Sequence, residues 1–150
     1  MHNATCPLCG PAPVGLLHED AQLRIITVDD AQFPGYLRVI WRDHVSEMTD
    51  LSQANRDRLM LVVYRLEALQ RDILQPDKIN LASLGNQVPH LHWHLIPRWR
   101  GDPCFPDSIW ATSQAHDQDR QTAWARQQPA LLAQASVLQN KIRQEFSPPD

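Results

Sequence analysis

The chain reads as an α+β domain in which an antiparallel sheet packs on one main helix, with a second helix at the C-terminal end. Three observations predict it. Short runs dense in β-branched and aromatic residues occur in two separate pairs. A stretch with 3.6-residue apolar periodicity lies between the pairs, and apolar spacing returns near the C-terminus.

The first element is a lead-in. Cys6-Pro7-Leu8-Cys9-Gly10-Pro11-Ala12-Pro13 is too rich in proline for a helix or a ladder, so residues 1–15 form an ordered loop or lead-in. Leu23 to Val28 and Tyr36 to Trp41 follow as an antiparallel pair, because Asp29 to Gly35 between them carries turn chemistry, including Pro34-Gly35. Thr49-Asp50 offers an N-cap. Beyond it, Leu51, Leu59, Val62, Val63, Leu66, Leu69 and Ile73 recur as a core-facing stripe that ends near Gln75-Pro76. Ile79 to Leu84 and Leu91 to Ile96 are the second strand pair, joined by a polar loop through Gly85-Asn86-Gln87-Val88-Pro89. After Pro97 come a loop with Gly101, Pro103 and Pro106, a polar stretch, and a helical segment carrying Leu131, Leu132, Leu138 and Ile142; the tail from Ser147 should fray. The whole is expected to be one domain, with 1–19 as lead-in, 20–100 as core and 101–150 as an extension.

Composition bounds the function. At 150 residues, 43% hydrophobic and 21% charged, the chain can bury a single core. No apolar run approaches the roughly 18 residues of a membrane span, and the first residues lack a secretory pattern, so a cytoplasmic protein is expected. A net charge of −3 with no basic half argues against general binding of nucleic acid. Three cysteines, an odd number, favour thiol or metal chemistry over a disulfide framework.

The sharpest feature is His90-Leu91-His92-Trp93-His94. Alternation along a strand puts the three histidines on one face, about 7 Å apart in sequence order, with Leu91, Trp93 and Leu95 on the other. The apolar face can pack on the helix and leave the histidine face open. One reading is a solvated strand that happens to carry histidine. Another is a metal site, although the outer two, about 13 Å apart, cannot share one tetrahedral ion. The favoured reading is nucleophilic attack on phosphorus: a neutral imidazole nitrogen attacks while its other nitrogen donates to a fixed acceptor. Phosphate oxygens would be met by amide donors of Gly85-Asn86-Gln87 and by Asn80, Asn86, Gln87 and the other imidazoles. Cys6-Pro7-Leu8-Cys9 is a redox pair, an incidental loop, or half of a tetrahedral zinc site.

Ser83 to Arg98, with His90-Leu91-His92-Trp93-His94-Leu95-Ile96 at its centre, closely resembles the signature of the histidine triad (HIT) superfamily, in a bacterial-type member. The resemblance extends upstream through Gly35 to Ile40 and Arg42 to Leu51, covering about residues 20 to 100. Asp107-Ser108-Ile109-Trp110 resembles the segment after the triad in the dinucleoside polyphosphate hydrolase branch. The resemblance implies a HIT-like fold, a homodimer and a small nucleotide substrate cleaved at its α-phosphate. His92 would then be the nucleophile and His94 a contact to the scissile phosphate. Asn80, Asn86 and Gln87 would serve the phosphate, Asp29 or Asp30 the ribose, and Arg98 would supply charge. It also implies a structural zinc held by Cys6, Cys9, His44 and His90, with no metal needed for the chemistry. Transfer to another acceptor, a non-catalytic nucleotide-binding or zinc-stabilised module, and a catalytic-metal hydrolase are the rival functions. His2, His18 and His116 read as surface residues, Cys104 as a lone loop thiol, and Trp99 as part of a solvated strand end.

Overall fold

In a computed structural model, the residues described are 3–11, 14–111 and 118–147; the readings of His2, His116 and most of the C-terminal tail fall outside them. Five strands form one antiparallel sheet: β1 (Leu16–Glu19), β2 (Leu23–Thr27), β3 (Leu37–Trp41), β4 (Lys78–Ala82) and β5 (His92–Arg98), in the order β1-β2-β3-β5-β4. Two helices, α1 (Gln53–Leu74) and α2 (Gln118–Phe146), complete the α+β fold.

The four strands expected from the sequence are present within a residue or two. β1 is the addition. Its turn into β2 is built by Asp20, whose Oδ1 accepts from the backbone N–H groups of Gln22 and Leu23 at 2.7 and 2.9 Å. Gly15 opens β1 at a φ of +88°, where a Cβ would lie 2.6 Å from the Thr27 carbonyl oxygen.

The start of α1 differs from expectation. Thr49 and Asp50 belong to a preceding 3₁₀ turn (Met48–Asp50), and the cap is Ser52, whose Oγ accepts from the Asn55 N–H at 3.3 Å. The helix ends at Gln75 in the left-handed region (φ +47°), just ahead of Pro76. Leu59, Val62, Val63, Leu66 and Leu69 face the sheet as the periodicity predicts. From α2, Leu131, Ala135, Leu138 and Ile142 join the same core, one face at i, i+4, i+7 and i+11, whereas Leu132 points outward.

The register divides the sheet. Leu23, Ile25, Leu37, Val39, Trp41 and Leu95 bury one face against the helices. The opposite face carries Arg38, Ile40, His92 and His94, because Arg38 pairs with His94 and Ile40 with His92 across β3 and β5. The lead-in is tied to this second face: Arg24 on β2 donates to the Gly10 carbonyl at 2.8 Å.

Candidate active site and metal centre

β5 starts one residue later than alternation alone suggests, and this separates the histidines. His92 and His94 lie on the strand; His90 precedes it, after Pro89. The flanking backbone is held by Leu91, whose N–H donates to the Val45 carbonyl at 2.7 Å and whose carbonyl accepts from Trp41 at 3.1 Å. The open histidine face expected from the sequence is corrected. His90, His92 and His94 are 0%, 8% and 4% exposed, because the lead-in and the loop after β5 approach this face.

His90 turns away from the other two. Its Nε2–H donates to the Trp41 carbonyl at 2.6 Å, which leaves Nδ1 as a lone-pair donor. That nitrogen lies 3.4 Å from Cys6 Sγ, 3.4 Å from Cys9 Sγ and 3.3 Å from His44 Nδ1, and His44 Nδ1 lies 3.5 Å from Cys9 Sγ. All four ligand atoms fall within 4.8 Å of one another. A tetrahedral ion with two nitrogen and two sulfur ligands sets edges of about 3.4 Å between nitrogens and about 3.6 Å between nitrogen and sulfur, and these distances match. Burial pushes the Cys9 thiol up, so a thiolate here requires a cation beside it. The four side chains expected to share a metal are therefore brought together with the donor set and spacing of a closed tetrahedral site.

The other two histidines are each held at Nδ1 by a hydrogen bond. His92 Nδ1–H donates to the His90 carbonyl at 2.6 Å, so Nε2 keeps its lone pair. Tyr36 Oη lies 2.5 Å from His94 Nδ1; with the hydroxyl as donor, the proton of His94 sits on Nε2. Burial, the neighbouring His92 and the Arg38 charge push the His94 pKa down to about 3. Burial, with Arg38 again, pulls His92 down as well, against the hydrogen bond to His90. Both imidazoles stand neutral. Their rings meet edge to face at 4.7 Å, and Trp110 packs edge-on against His94 at 5.1 Å.

His92 and His94 line a cleft of about 390 Å³. Its other walls are Leu8 of the lead-in, Arg38 of β3, residues 84–88 of the β4–β5 loop, and Trp110. Apolar flanks beside an imidazole pair, amides and one guanidinium suit a ligand with an aromatic part and an anionic part.

Residues 11–101 match the family described as HIT domain. The chain belongs to the HIT family. It is 31% identical over 78 residues to an AP-4-A phosphorylase of Mycobacterium tuberculosis, a match covering 48% of this chain and 40% of that relative, so the shared part is less than half of either protein. Among solved structures it resembles a histidine triad protein from Bradyrhizobium japonicum, with a TM-score of 0.60 and 29% identity over 80% of this chain and 89% of that one. It also resembles a zinc-bound histidine triad family protein from Mycobacterium smegmatis, with a TM-score of 0.54 and 25% identity over 89% of this chain and 96% of the other.

Within this HIT fold the remaining expected site residues divide. Asn86 and Gln87 line the cleft. Asn80 and Arg98 do not. Arg98 is 1% exposed and donates twice to the Asp102 carboxylate (2.8 and 2.9 Å), to Asn80 Oδ1 at 2.8 Å and to the Asp107 carbonyl at 2.9 Å. Asp102 also accepts from the backbone N–H groups of Trp99, Cys104 and Phe105, so the pair pins the loop that carries Trp110. Asp29 and Asp30 sit in the β2–β3 loop outside the cleft wall, with Asp29 exposed and Asp30 accepting from the Gln32 N–H at 2.9 Å.

Two further readings are corrected. Trp99 is core, packed against Trp124 with ring centres 5.7 Å apart and planes tilted by 43°. His18 is partly buried against Phe146 at 5.5 Å. Cys104 is a free thiol in the loop after β5, as expected from the sequence, and it is buried. The residues that sequence reasoning missed are Tyr36, Arg38, Trp110 and Leu8. Arg38 was within reach: the β3–β5 pairing puts its Cα opposite His94, so the same alternation that groups the histidines assigns Arg38 to their face.

Proposed function

We propose that this HIT protein cleaves nucleotide conjugates at the α-phosphate, with His92 as the nucleophile. The observation that carries the reading is the 2.6 Å hydrogen bond from His92 Nδ1–H to the His90 carbonyl, which leaves Nε2 unprotonated in a residue lining the cleft. Its lone pair forms an N–P bond to the α-phosphorus. The P–O bond to the leaving group breaks, and its electron pair stays on the departing oxygen. The imidazole, now substituted at Nε2, bears a positive charge while Nδ1–H remains bonded to the carbonyl dipole of His90. Water then attacks phosphorus, the N–P pair returns to Nε2, and the water proton passes to solvent, giving a nucleoside monophosphate. His94 Nε2–H and the amides of Asn86 and Gln87 donate to the phosphate oxygens as charge builds.

Cys6, Cys9, His44 and His90 would hold a zinc ion through two sulfurs and two nitrogens. With four protein ligands and no open position, its contribution when bound is to cross-link the lead-in to the residue preceding β5. His90 then serves the fold, and its carbonyl orients the nucleophile.

A phosphate-containing acceptor in place of water makes the same intermediate a transferase. The similarity to an AP-4-A phosphorylase favours weighing that acceptor alongside water. A homodimer, a small nucleotide substrate and no nucleic-acid partner belong to this reading; the net charge of −3 and the edge position of β4 are consistent with it. The test is turnover of diadenosine tri- and tetraphosphate, adenosine 5′-phosphoramidate and a nucleotide sugar, with water alone and with added phosphate, by wild type and His92→Ala. Release of monophosphate or a transfer product that vanishes in the variant supports the reading. Nucleotide binding with no turnover of any substrate contradicts it in favour of a binding module.

A further inference from the structure

Cys6 and Cys9 are the two ends of one tight turn. The Cys9 N–H donates to the Cys6 carbonyl at 3.1 Å, which closes a four-residue turn with Pro7 and Leu8 at its corners. Proline suits the first corner because its ring fixes φ. Both ends are buried, and their sulfurs meet His44 and His90 in the ligand cluster. Nearby backbone bonds are sparse: the Cys6 N–H bonds back to the Asn3 carbonyl inside the loop, and a bond to the sheet runs from Arg24 to the Gly10 carbonyl at 2.8 Å. The place of the turn on the body of the protein is therefore set by the meeting of Cys6 and Cys9 with the two histidines.

The tip of the turn enters the cleft. Pro7 is exposed, whereas Leu8 is half-buried and lines the wall shared with His92 and His94. The imidazoles and the amides of the β4–β5 loop suit the phosphate of a nucleotide, which leaves the aliphatic side chains for its base. Three of these line the cleft: Leu84 and Val88 from the β4–β5 loop, and Leu8. Leu84 and Trp110 stand 51% and 49% exposed in the same wall, apolar surface that a planar ring would cover. Leu8 differs from the loop residues in its support. It belongs to no strand or helix, and the chain on either side of it, at Cys6 and at Cys9, is held through the side chains of the ligand cluster.

We propose that Leu8 couples the two sites: set in the turn between Cys6 and Cys9, it is the wall on which the nucleoside base packs, so that nucleotide binding in the cleft and metal binding by Cys6, Cys9, His44 and His90 strengthen one another. This rests on the reading that the cleft takes a nucleotide and adds the contact that meets its base. Ligation of both cysteines fixes the turn and with it Leu8. A base packed on Leu8 in turn holds Cys6 and Cys9 in the liganding position. Such coupling is reciprocal, so it is readable from either site.

The experiment follows equilibrium transfer of zinc from the loaded protein to a chromophoric chelator, alone and with saturating AMP, for wild type, Leu8→Ala and Leu8→Met. All four ligands stay in place in each variant, and melting curves confirm folding. AMP is expected to raise the zinc affinity of wild type about 5-fold or more. Leu8→Ala should keep the wild-type zinc affinity without AMP and lose the AMP effect, whereas Leu8→Met, which conserves side-chain volume, should retain most of it. Calorimetry reads the contact itself: Leu8→Ala weakens AMP binding about 5-fold and leaves ribose 5-phosphate, which lacks the base, unchanged. Equal AMP protection in wild type and Leu8→Ala overturns the proposal, as does a wild type that binds AMP with no change in zinc affinity, or a protein that takes up no zinc. An equal loss of AMP and ribose 5-phosphate also overturns it and assigns Leu8 to the fold of the loop. Every readout is binding, so the expected coupling in a protein that cleaves nothing contradicts the nucleophile reading alone. A wild type that binds no AMP overturns both.

Discussion

The Nδ1–H of His92 meets the carbonyl oxygen of His90 at 2.6 Å, while the side chain of His90 points into the Cys6, Cys9 and His44 cluster. One residue thus faces two ways: its ring joins the Cys6, Cys9 and His44 cluster, and its carbonyl sets the tautomer of His92, the proposed nucleophile. The ring is anchored at its other nitrogen by the Trp41 carbonyl, so His90 is held between a strand end and three other side chains. Holding a base's second nitrogen on a fixed acceptor is how an imidazole is kept ready for attack.

Loss of the metal ligands is therefore expected to act first on stability and then on the chemistry. Cys9→Ser should lower metal content below one ion per chain and cost about 3 kcal/mol or more, a fall in Tm of roughly 6–12 °C for a domain of this size. Metal analysis and thermal melts check this. A protein that contains no metal as purified and melts the same with Cys9→Ser would remove zinc from the account.

Tyr36→Phe removes the hydroxyl that donates to His94 while leaving the ring in place. The buried acceptor loses its partner, at about 1–3 kcal/mol. With His94 free to change tautomer, kcat should fall about 10- to 100-fold with KM nearly constant. Steady-state kinetics beside a melting curve separates the two effects; unchanged kcat would show that His94 needs no support from Tyr36.

Asp102→Ala would leave the Arg98 guanidinium buried without its carboxylate and free three backbone N–H groups. Breaking one side of a buried pair costs about 3–5 kcal/mol. The loop bearing Trp110 should loosen, so nucleotide affinity at a temperature where the variant is folded should also fall. Urea unfolding and calorimetry report each quantity, and a variant as stable as wild type would contradict the pinning role.

Acid should destabilise the protein through His94. Its imidazole is surrounded by His92 on its own strand, Tyr36 and Arg38 from β3 and the β2–β3 loop, and Trp110. Unfolded, it takes up a proton near the ordinary imidazole value of 6.5; folded, only near about 3. The unfolded chain binds more protons between these values. The stability held by neutral His94 is complete above pH 6.5 and declines as pH falls towards about 3, at up to about 1.4 kcal/mol per pH unit. Denaturant midpoints across pH 4 to 8 should show a shallower slope for His94→Asn than for wild type. Parallel slopes would mean that His94 is not buried as a neutral group.

Legibility in the sequence followed physical range. α1 and the cores of β2 to β5 were readable because periodicity and β-branched runs are local signals. β1 was not, since Leu16–Glu19 has only four residues and its turn is built by one aspartate hydrogen-bonding ahead. Ser52 prevailed over Thr49-Asp50 as the cap because the intervening residues close a 3₁₀ turn first. His92 and His94 followed from strand alternation, but His90 did not, because Pro89 and the bond from Leu91 to Val45 delay the strand. Arg98 looked like a ligand for phosphate since an arginine at a strand end is usually free; here Asp102, four residues on, occupies it. Trp110 reaches the site only through that distant ion pair, which no local pattern encodes.

The most direct test is to mix the protein with diadenosine tetraphosphate for one turnover, quench in alkali, where a phosphorus–nitrogen bond survives, and measure the intact mass. The account predicts wild-type protein heavier by one adenylyl group, mapped to His92, and no adduct on His92→Ala. Steady turnover with no adduct at any time point, or turnover that persists in His92→Ala, would contradict His92 as the nucleophile.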